Sequence, residues 1–498
     1  MGAKQKLERA GISRALDYVI KDPEQNVPKI MDIVDTLVPD NVMAPQRKMV
    51  RNAIDSKGNW YRYILRLTTE MDEGVARRLL KSLVLDVVFD AWPIQEANRE
   101  KYQCNIPWAI LLDPTSACNL HCTGCWAADY GHQLNLSFED IDSIIEQGKA
   151  LGVHLYIYTG GEPLVRKKDV IRLCEKHQDC VFLSFTNATL IDEEFCADMK
   201  RVANFVPAIS VEGFGEATDA RRGAGTFAKV SHAMDLLRGN GLPFGVSTCY
   251  TSQNYQAIAT EEFFDWMIDK GALFAWFFTY MPIGKNAPTD LMATPAQREE
   301  LYHFIRRMRD EKPLFTMDFW NDGEYVGGCI AGGRRYLHIN ANGDVEPCVF
   351  AHYSNANIHD TSLLDALRSP LFMAYYRNQP FSGNLLRPCP ILDNQGELAR
   401  IVRESGAKST DLDGAEDAGD LCAKCIPVAD AWEPVANRLW ENPADPRYPM
   451  RHSGHVGQAD SDLRRLERLE RKLDHQQAPD AQESTASEKV LEEVAVGK

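Results

Sequence analysis

Apolar positions along the chain follow two rhythms, and the change from one to the other divides it. From about residue 5 to 105 they recur at helical spacing: Ile30, Ile33, Val34 and Leu37 share one face, as do Leu80, Leu83, Val84, Val87 and Val88. These stripes predict a helical N-terminal domain over 1–105 whose apolar faces pack on the domain that follows. Trp60, Tyr61 and Tyr63 keep a membrane or partner surface as the alternative. Over 106–311 six runs of strand length take over: Trp108 to Leu112, His154 to Tyr158, Val181 to Phe185, Val206 to Ile209, Phe244 to Thr248 and Leu273 to Tyr280. Helical segments separate them; Ser137-Phe-Glu-Asp140 opens one with a capping-box pattern, and Phe263, Trp266 and Met267 mark the apolar face of another. Buried strands alternating with amphipathic helices predict an α/β fold with a parallel sheet, open or curled into a partial barrel, and its chemistry at the C-terminal ends of the strands.

After about residue 312 that rhythm stops, and Cys329, Cys348, Cys389, Cys422 and Cys425 are strung through Gly- and Pro-punctuated segments, a separate module over 312–450. Residues 451–498 are highly charged, with Leu463, Leu466, Leu469 and Leu473 marking one short helix before an end predicted to be disordered.

Composition narrows the function. With 55 Lys plus Arg against 71 Asp plus Glu, the net charge of −16 over 498 residues argues against general nucleic-acid binding. The N-terminus has no apolar signal-peptide core, and the longest apolar stretch, around Gly271 to Gly284, is too short to span a bilayer, so a cytoplasmic protein without a transmembrane helix is expected. In that compartment the 13 cysteines stay reduced, and those that cluster are better suited to metal or cluster ligation than to disulfides.

Three of them, Cys118, Cys122 and Cys125, fall within eight residues straight after the first strand. Soft thiolates suit iron–sulfur clusters, and three ligands on a four-iron cube leave one iron open to chelation by a small molecule. Gly124 lets the loop wrap around the cluster. The rival is a zinc site completed by His121 or a distant cysteine. The spacing C-x3-C-x2-C followed by Trp126 resembles the signature of the radical S-adenosylmethionine (SAM) superfamily. That resemblance implies a partial (β/α)6 TIM-like barrel, a [4Fe-4S] cluster with an open iron, and S-adenosylmethionine as cofactor. Gly160-Gly161-Glu162-Pro163 is similar to the family segment that receives the cofactor's amino group, where glycines permit close approach and carbonyls or Glu162 accept from an ammonium. Thr186-Asn187 closes the third strand, and Asn187 joins the cofactor set. Ser210-Val-Glu212-Gly213 and Asp219 to Phe227 resemble the segments whose serine and arginine hold the methionine carboxylate, which points to Ser210 and Arg222. Glu212 stands where the family pattern has aspartate, and Arg221 is able to trade places with Arg222. Thr248, Asn254 and Tyr280 to Gly284 complete the resemblance at the last two strands.

Between Cys329 and Cys348, Asn342-Gly343 signals a hairpin. With Cys389 in Arg-Pro-Cys-Pro and the pair Cys422 and Cys425, the module resembles the auxiliary-cluster (SPASM or twitch-like) extension of the superfamily. Five cysteines serve one four-iron cluster, so a single auxiliary cluster held by four of the five is predicted, with zinc as rival. Cys104, Cys174, Cys180, Cys196 and Cys249 read as ordinary buried thiols.

The resemblance implies reductive cleavage of S-adenosylmethionine and hydrogen abstraction from an unactivated C–H bond. It also implies an electron donor such as flavodoxin or ferredoxin, and sensitivity to oxygen. The helical N-terminus differs from the strand-rich domain preceding many peptide maturases, and the plan of helical start, core and single auxiliary module with Arg-Pro-Cys-Pro and CxxC resembles relatives that act on lipid chains, which implies a lipid chain as substrate and is compatible with peripheral contact with the inner face of a membrane. A peptide-modifying maturase and a non-catalytic iron–sulfur sensor are the alternatives.

Overall fold

The computed structural model describes residues 3–37, 44–127, 133–412 and 414–452; of the tail expected from 451, only Arg451 and His452 fall within them. Seven parallel strands form the core: β1 (Ala109–Leu112), β2 (Leu155–Tyr158), β3 (Val181–Thr186), β4 (Phe205–Ser210), β5 (Gly245–Tyr250), β6 (Phe274–Thr279) and β7 (Phe315–Asp318). Each pairs in parallel with the next. The first six occupy the six apolar runs. The seventh follows the helix Pro295–Glu311, so the βα rhythm runs one strand beyond residue 311. Its buried members are Thr316 and Asp318 while Phe315 is exposed, a pattern that no apolar periodicity announces.

The hairpin at Asn342-Gly343 forms as predicted, with Gly343 at φ 87°. Its strands β8 (Tyr336–Ile339) and β9 (Val345–Glu346) do more than build a separate module. β8 pairs in parallel with β1, so one sheet runs β7-β6-β5-β4-β3-β2-β1-β8-β9 through both modules. Between its two edges the wall is made by side chains: Trp320 stands 5.3 Å from Phe350, and Phe319 6.3 Å from Tyr336, between ring centroids.

Alternation along the strands sorts two apolar layers. On β6, Ala275 and Phe277 pack under the outer helices, whereas Phe274, Trp276 and Phe278 turn into the lumen. The N-terminal helices close the lumen from below. Met71, Ala76, Leu79, Leu83 and Val87 join Leu155, Val181, Val206 and Leu273 in one cluster. Polar groups fix this floor to the turns that enter the strands. Arg66 donates to the carbonyls of Pro313 (2.6 Å) and Ala272 (3.1 Å), the Asp72 amide to Gly241 O (2.8 Å), and Gln95 to Gly152 O (2.6 Å). Each satisfies a buried or half-buried carbonyl in a turn that leads from a helix toward the next strand.

Two expectations for this region are corrected. Val88, placed on the packing face, is 52% exposed, because Ser82–Asp90 is a π-helical segment whose wider turn rotates it outward. Ile33 is also exposed. Trp60, Tyr61 and Tyr63 serve packing: Tyr61 is buried with its hydroxyl on Glu24 O (3.1 Å), and Trp60 and Tyr63 lie against Phe315.

Candidate active site

The three-cysteine loop leaves β1 at Asp113 and is pinned at both shoulders. Ser116 and Leu134 exchange hydrogen bonds, the Ser116 amide to Leu134 O and the Leu134 amide to Ser116 Oγ, both at 2.9 Å. Farther on, the Thr123 amide donates to Arg221 O (2.9 Å) and Arg221 Nε returns a bond to Thr123 O (3.2 Å). Cys118 Sγ accepts from the Leu120 amide at 3.5 Å and has the Asn187 amide at 4.0 Å, while Arg222 Nη1 approaches Cys122 Sγ at 3.9 Å. Gly124 sits at φ 66°, and a Cβ there would come within 2.6 Å of the Tyr280 ring.

Gly160 and Gly161 are needed because this loop crosses directly over them. A Cβ on Gly161 would meet Ala117 O at 2.2 Å, and one on Gly160, whose φ is 100°, would meet Asp113 at 2.7 Å. The turn is stitched to the loop by Gly161 N to Thr115 O (3.0 Å) and Glu162 N to Ala117 O (2.9 Å). Glu162, one of the candidate acceptors for an ammonium, lines the cavity and also has a structural part. Its buried carboxylate is already held by Thr186 Oγ1 (2.6 Å), the Asn187 amide (2.7 Å) and the Leu164 amide (3.0 Å). It braces β2 against β3, and burial pushes its carboxyl up against the opposing pull of these donors. The side chain of Asn187 donates to Asn119 Oδ1 (2.8 Å), a second tie from β3 to the cysteine loop.

Glu212 emerges as the residue sequence reasoning undervalued. It is fully buried at the end of β4 and receives Arg222 Nη2 at 2.6 Å, Arg221 Nη1 at 2.8 Å and Arg222 Nε. Burial would push its carboxyl up, but the Arg222 and Arg221 guanidiniums outweigh that and hold it below the ordinary glutamate value. The longer side chain in place of aspartate is what reaches two guanidiniums at once; its only signal in the sequence was that departure followed by Arg221-Arg222. Both arginines are therefore held in place on the cavity wall.

That cavity, of about 260 Å³, unites Cys118, Cys122, Cys125, Gly160, Gly161, Glu162, Asn187, Ser210 and Arg222. Every residue predicted for the first cluster and the cofactor lies on its wall. Arg221 and Cys249 join them, whereas Thr248 and Asn254 face away; Asn254 instead ties Glu212 O to Cys249 O. Toward the floor the wall becomes apolar, formed by Leu111, Ile157, Phe185, Trp276, Phe278 and Phe319.

A smaller cavity beside it is lined by Cys329, Cys348 and Cys389, and the two share Phe319, Ile330, Tyr336 and Phe350. Cys389 Sγ accepts from the amides of Ile391 and Leu392, both at 3.4 Å, and Tyr336 Oη lies 2.8 Å from Cys348 Sγ. Cys422 and Cys425 lie in the first turns of the helix Ala418–Trp440, both buried. The Tyr375 hydroxyl is buried with no hydrogen-bond partner, and its ring sits in the field of Cys329, Cys348, Cys389 and Cys422. An orphaned donor among four thiols fits a sulfide-rich group placed between them. In the first site the same test is met by the Tyr280 hydroxyl, buried and unpartnered over the cysteine loop.

The two sites meet through a buried charged bridge. His338 on β8 stands between Asp113 (Nε2 to Oδ1, 2.9 Å) and Glu346 (Nδ1 to Oε2, 2.7 Å), with Trp126 edge-on at 5.7 Å. Burial alone would strip its proton, yet the two carboxylates raise it to about 10, so an imidazolium ties β1 to the hairpin.

Comparison with known proteins agrees with this geometry. Residues 112–266 match the model of the radical SAM superfamily, and residues 329–390 match SPASM, an iron–sulfur cluster-binding domain. The chain is 26% identical to the AdoMet-dependent heme synthase of Nitratidesulfovibrio vulgaris over 313 residues, covering 56% of this chain and 84% of that one. It is 27% identical to the mycofactocin maturase MftC of Mycobacterium ulcerans over 299 residues, covering 57% and 78%. Among solved structures, SuiB of Streptococcus suis bound to its precursor peptide SuiA aligns with a TM-score of 0.47 at 20% identity, over 55% of this chain and 67% of that one. No helix among the described residues is long and apolar enough to cross a membrane.

Proposed function

The chain belongs to the radical SAM superfamily and carries a SPASM domain, and from that premise we propose that it opens an unactivated C–H bond in an apolar, chain-like substrate, a lipid above all. It is an enzyme that takes S-adenosylmethionine, a four-iron cluster and auxiliary iron–sulfur ligation, and it needs a reductant. Bound together, cluster and cofactor supply a 5′-deoxyadenosyl radical on one-electron reduction. In our assignment Cys118, Cys122 and Cys125 hold the first cluster, and four of Cys329, Cys348, Cys389, Cys422 and Cys425 hold the auxiliary one. The Gly160 and Gly161 backbone takes the ammonium, while Ser210 and Arg222, aided by Arg221, take the carboxylate, with Glu212 fixing both guanidiniums. Glu162 and Asn187 keep the cofactor turn and the cysteine loop in register.

The observation that carries the substrate reading is the apolar lumen wall from Leu111 and Ile157 to Trp276 and Phe278, closed below by the helical floor. Such a wall excludes water from a reactive radical and binds methylenes without asking for hydrogen bonds. A peptide or a tetrapyrrole is the second reading, favoured by the likeness to a maturase and to heme synthases.

Anaerobic reconstitution tests the chemistry: about eight irons per chain and dithionite-driven release of 5′-deoxyadenosine are expected. An intact cluster without release would indicate a sensor. For the substrate, lipid extracts and small peptides from cells with and without the protein are compared. Lipid chains unchanged in length and linkage would turn the assignment to the second reading.

A further inference from the structure

Cys249, which the sequence presents as one more buried thiol, stands on the lumen face of β5. Register places it opposite Phe278 on β6, two residues beyond Ser247, which faces Ser210 on β4. It lines the same cavity as the three cluster cysteines, and Asn254 holds its carbonyl at 3.1 Å. Tyr280, two residues beyond Phe278, lines that cavity too. Its hydroxyl is buried and without a partner, and a Cβ on Gly124 would lie 3.0 Å from it. A thiol and an unpartnered phenol thus face the space above the cysteine loop. Burial keeps the Cys249 thiol in its protonated form, against the pull of Arg221.

An S–H bond is weaker than an aliphatic C–H bond, so a thiol inside a cavity where carbon radicals form surrenders its hydrogen to them. We propose that Cys249 is the hydrogen-atom donor that closes the substrate radical. The inference rests on the radical chemistry proposed above. In the step, the S–H bond of Cys249 breaks and a C–H bond forms on the substrate, leaving a thiyl radical. One electron from the low-potential donor reduces the thiyl to thiolate, and the thiolate takes a proton supplied by solvent. Each turnover then consumes two electrons and one proton with one S-adenosylmethionine, and the substrate leaves with as many hydrogens as it brought. The reaction class is inversion or bond rearrangement rather than desaturation.

The test needs no substrate. In D2O, reconstituted enzyme with S-adenosylmethionine and dithionite is expected to release 5′-deoxyadenosine carrying one deuterium, drawn from the exchanged Cys249 thiol, and in Cys249→Ser and Cys249→Ala that label falls to background. Separately from turnover, iodoacetamide is expected to alkylate Cys249 in the cluster-loaded enzyme slowly at neutral pH and faster as the pH is raised, and S-adenosylmethionine to protect it, both read by peptide mass. Deuterium retained in both variants, or alkylation of Cys249 that S-adenosylmethionine does not slow, overturns the proposal. Should the wild-type enzyme release no 5′-deoxyadenosine while Cys249 is alkylated and protected, it is the radical chemistry that fails and not the placement of the thiol.

Discussion

The two cysteine sites are built in opposite ways. In the first, three thiols share one loop of eight residues, and the rest of the molecule presses that loop into shape, through the glycine turn beneath it and Arg221 beside it among other ties. In the second, the candidate thiols are spread from Cys329 to Cys425 over a hairpin, the Arg-Pro-Cys-Pro turn and a helix, and four of them, Cys329, Cys348, Cys389 and Cys422, lie around Tyr375. A local site is fragile to its own ligands and to whatever crowds its backbone. A dispersed site is as strong as the fold that gathers it.

The largest effect follows from removing a ligand of the local site. Cys122→Ala is expected to abolish 5′-deoxyadenosine release and to lower the iron count from about eight to about four per chain; a fall to near zero would mean that the two sites load together. Next comes Glu212→Ala, which leaves two guanidiniums facing each other without their carboxylate. By analogy with other buried pairs it should cost about 3–5 kcal/mol, read in denaturant unfolding, with Glu212→Gln recovering part. Gly161→Ala drives a Cβ into Ala117 O; about 1–3 kcal/mol and weaker cluster retention are expected, whereas Gly383→Ala, with open space around its Cβ, serves as the neutral comparison.

The bridge between the sites predicts a pH dependence. His338 binds its proton more tightly in the folded chain, at about 10, than an unperturbed imidazole does, at about 6.5. Its stabilisation is therefore complete below about pH 6.5 and drains away as the pH rises toward 10. Unfolding measured across that window should show the slope in the wild type and lose it in His338→Gln. The smallest effect is expected at the dispersed site. Tyr336→Phe removes one hydrogen bond to Cys348, about 0.5–1.5 kcal/mol, and should lower the auxiliary cluster's reduction potential while leaving its iron in place. Loss of the iron instead would show that this bond holds the site together.

Much of this was legible without coordinates, where function depends on neighbours in the chain. The spacing of Cys118, Cys122 and Cys125, the Gly160-Gly161 turn, the six apolar runs and the Asn342-Gly343 hairpin each express a local requirement: ligands on one loop, a backbone that admits a close crossing, a strand buried on both faces, a turn with positive φ. Residues whose part depends on distant partners were read less well. Glu162 looked only like a ligand and is also a brace, with Thr186 and Asn187 at the end of β3 among its donors. Glu212 looked like a neutral departure and is the anchor of two arginines. β7 hid behind polar buried residues, and Val88 behind a π-helical turn.

By itself the sequence determined the cofactor chemistry and the parallel barrel and offered the candidate cluster thiols, since these follow from residue type and short spacing. Only the tertiary structure decided that one sheet runs through both modules, that the N-terminal helices seal the lumen, and that Cys249 faces the cavity and not the outer helices. Those outcomes depend on strand register and on which face of a strand meets which layer, quantities set by packing among residues far apart in the chain.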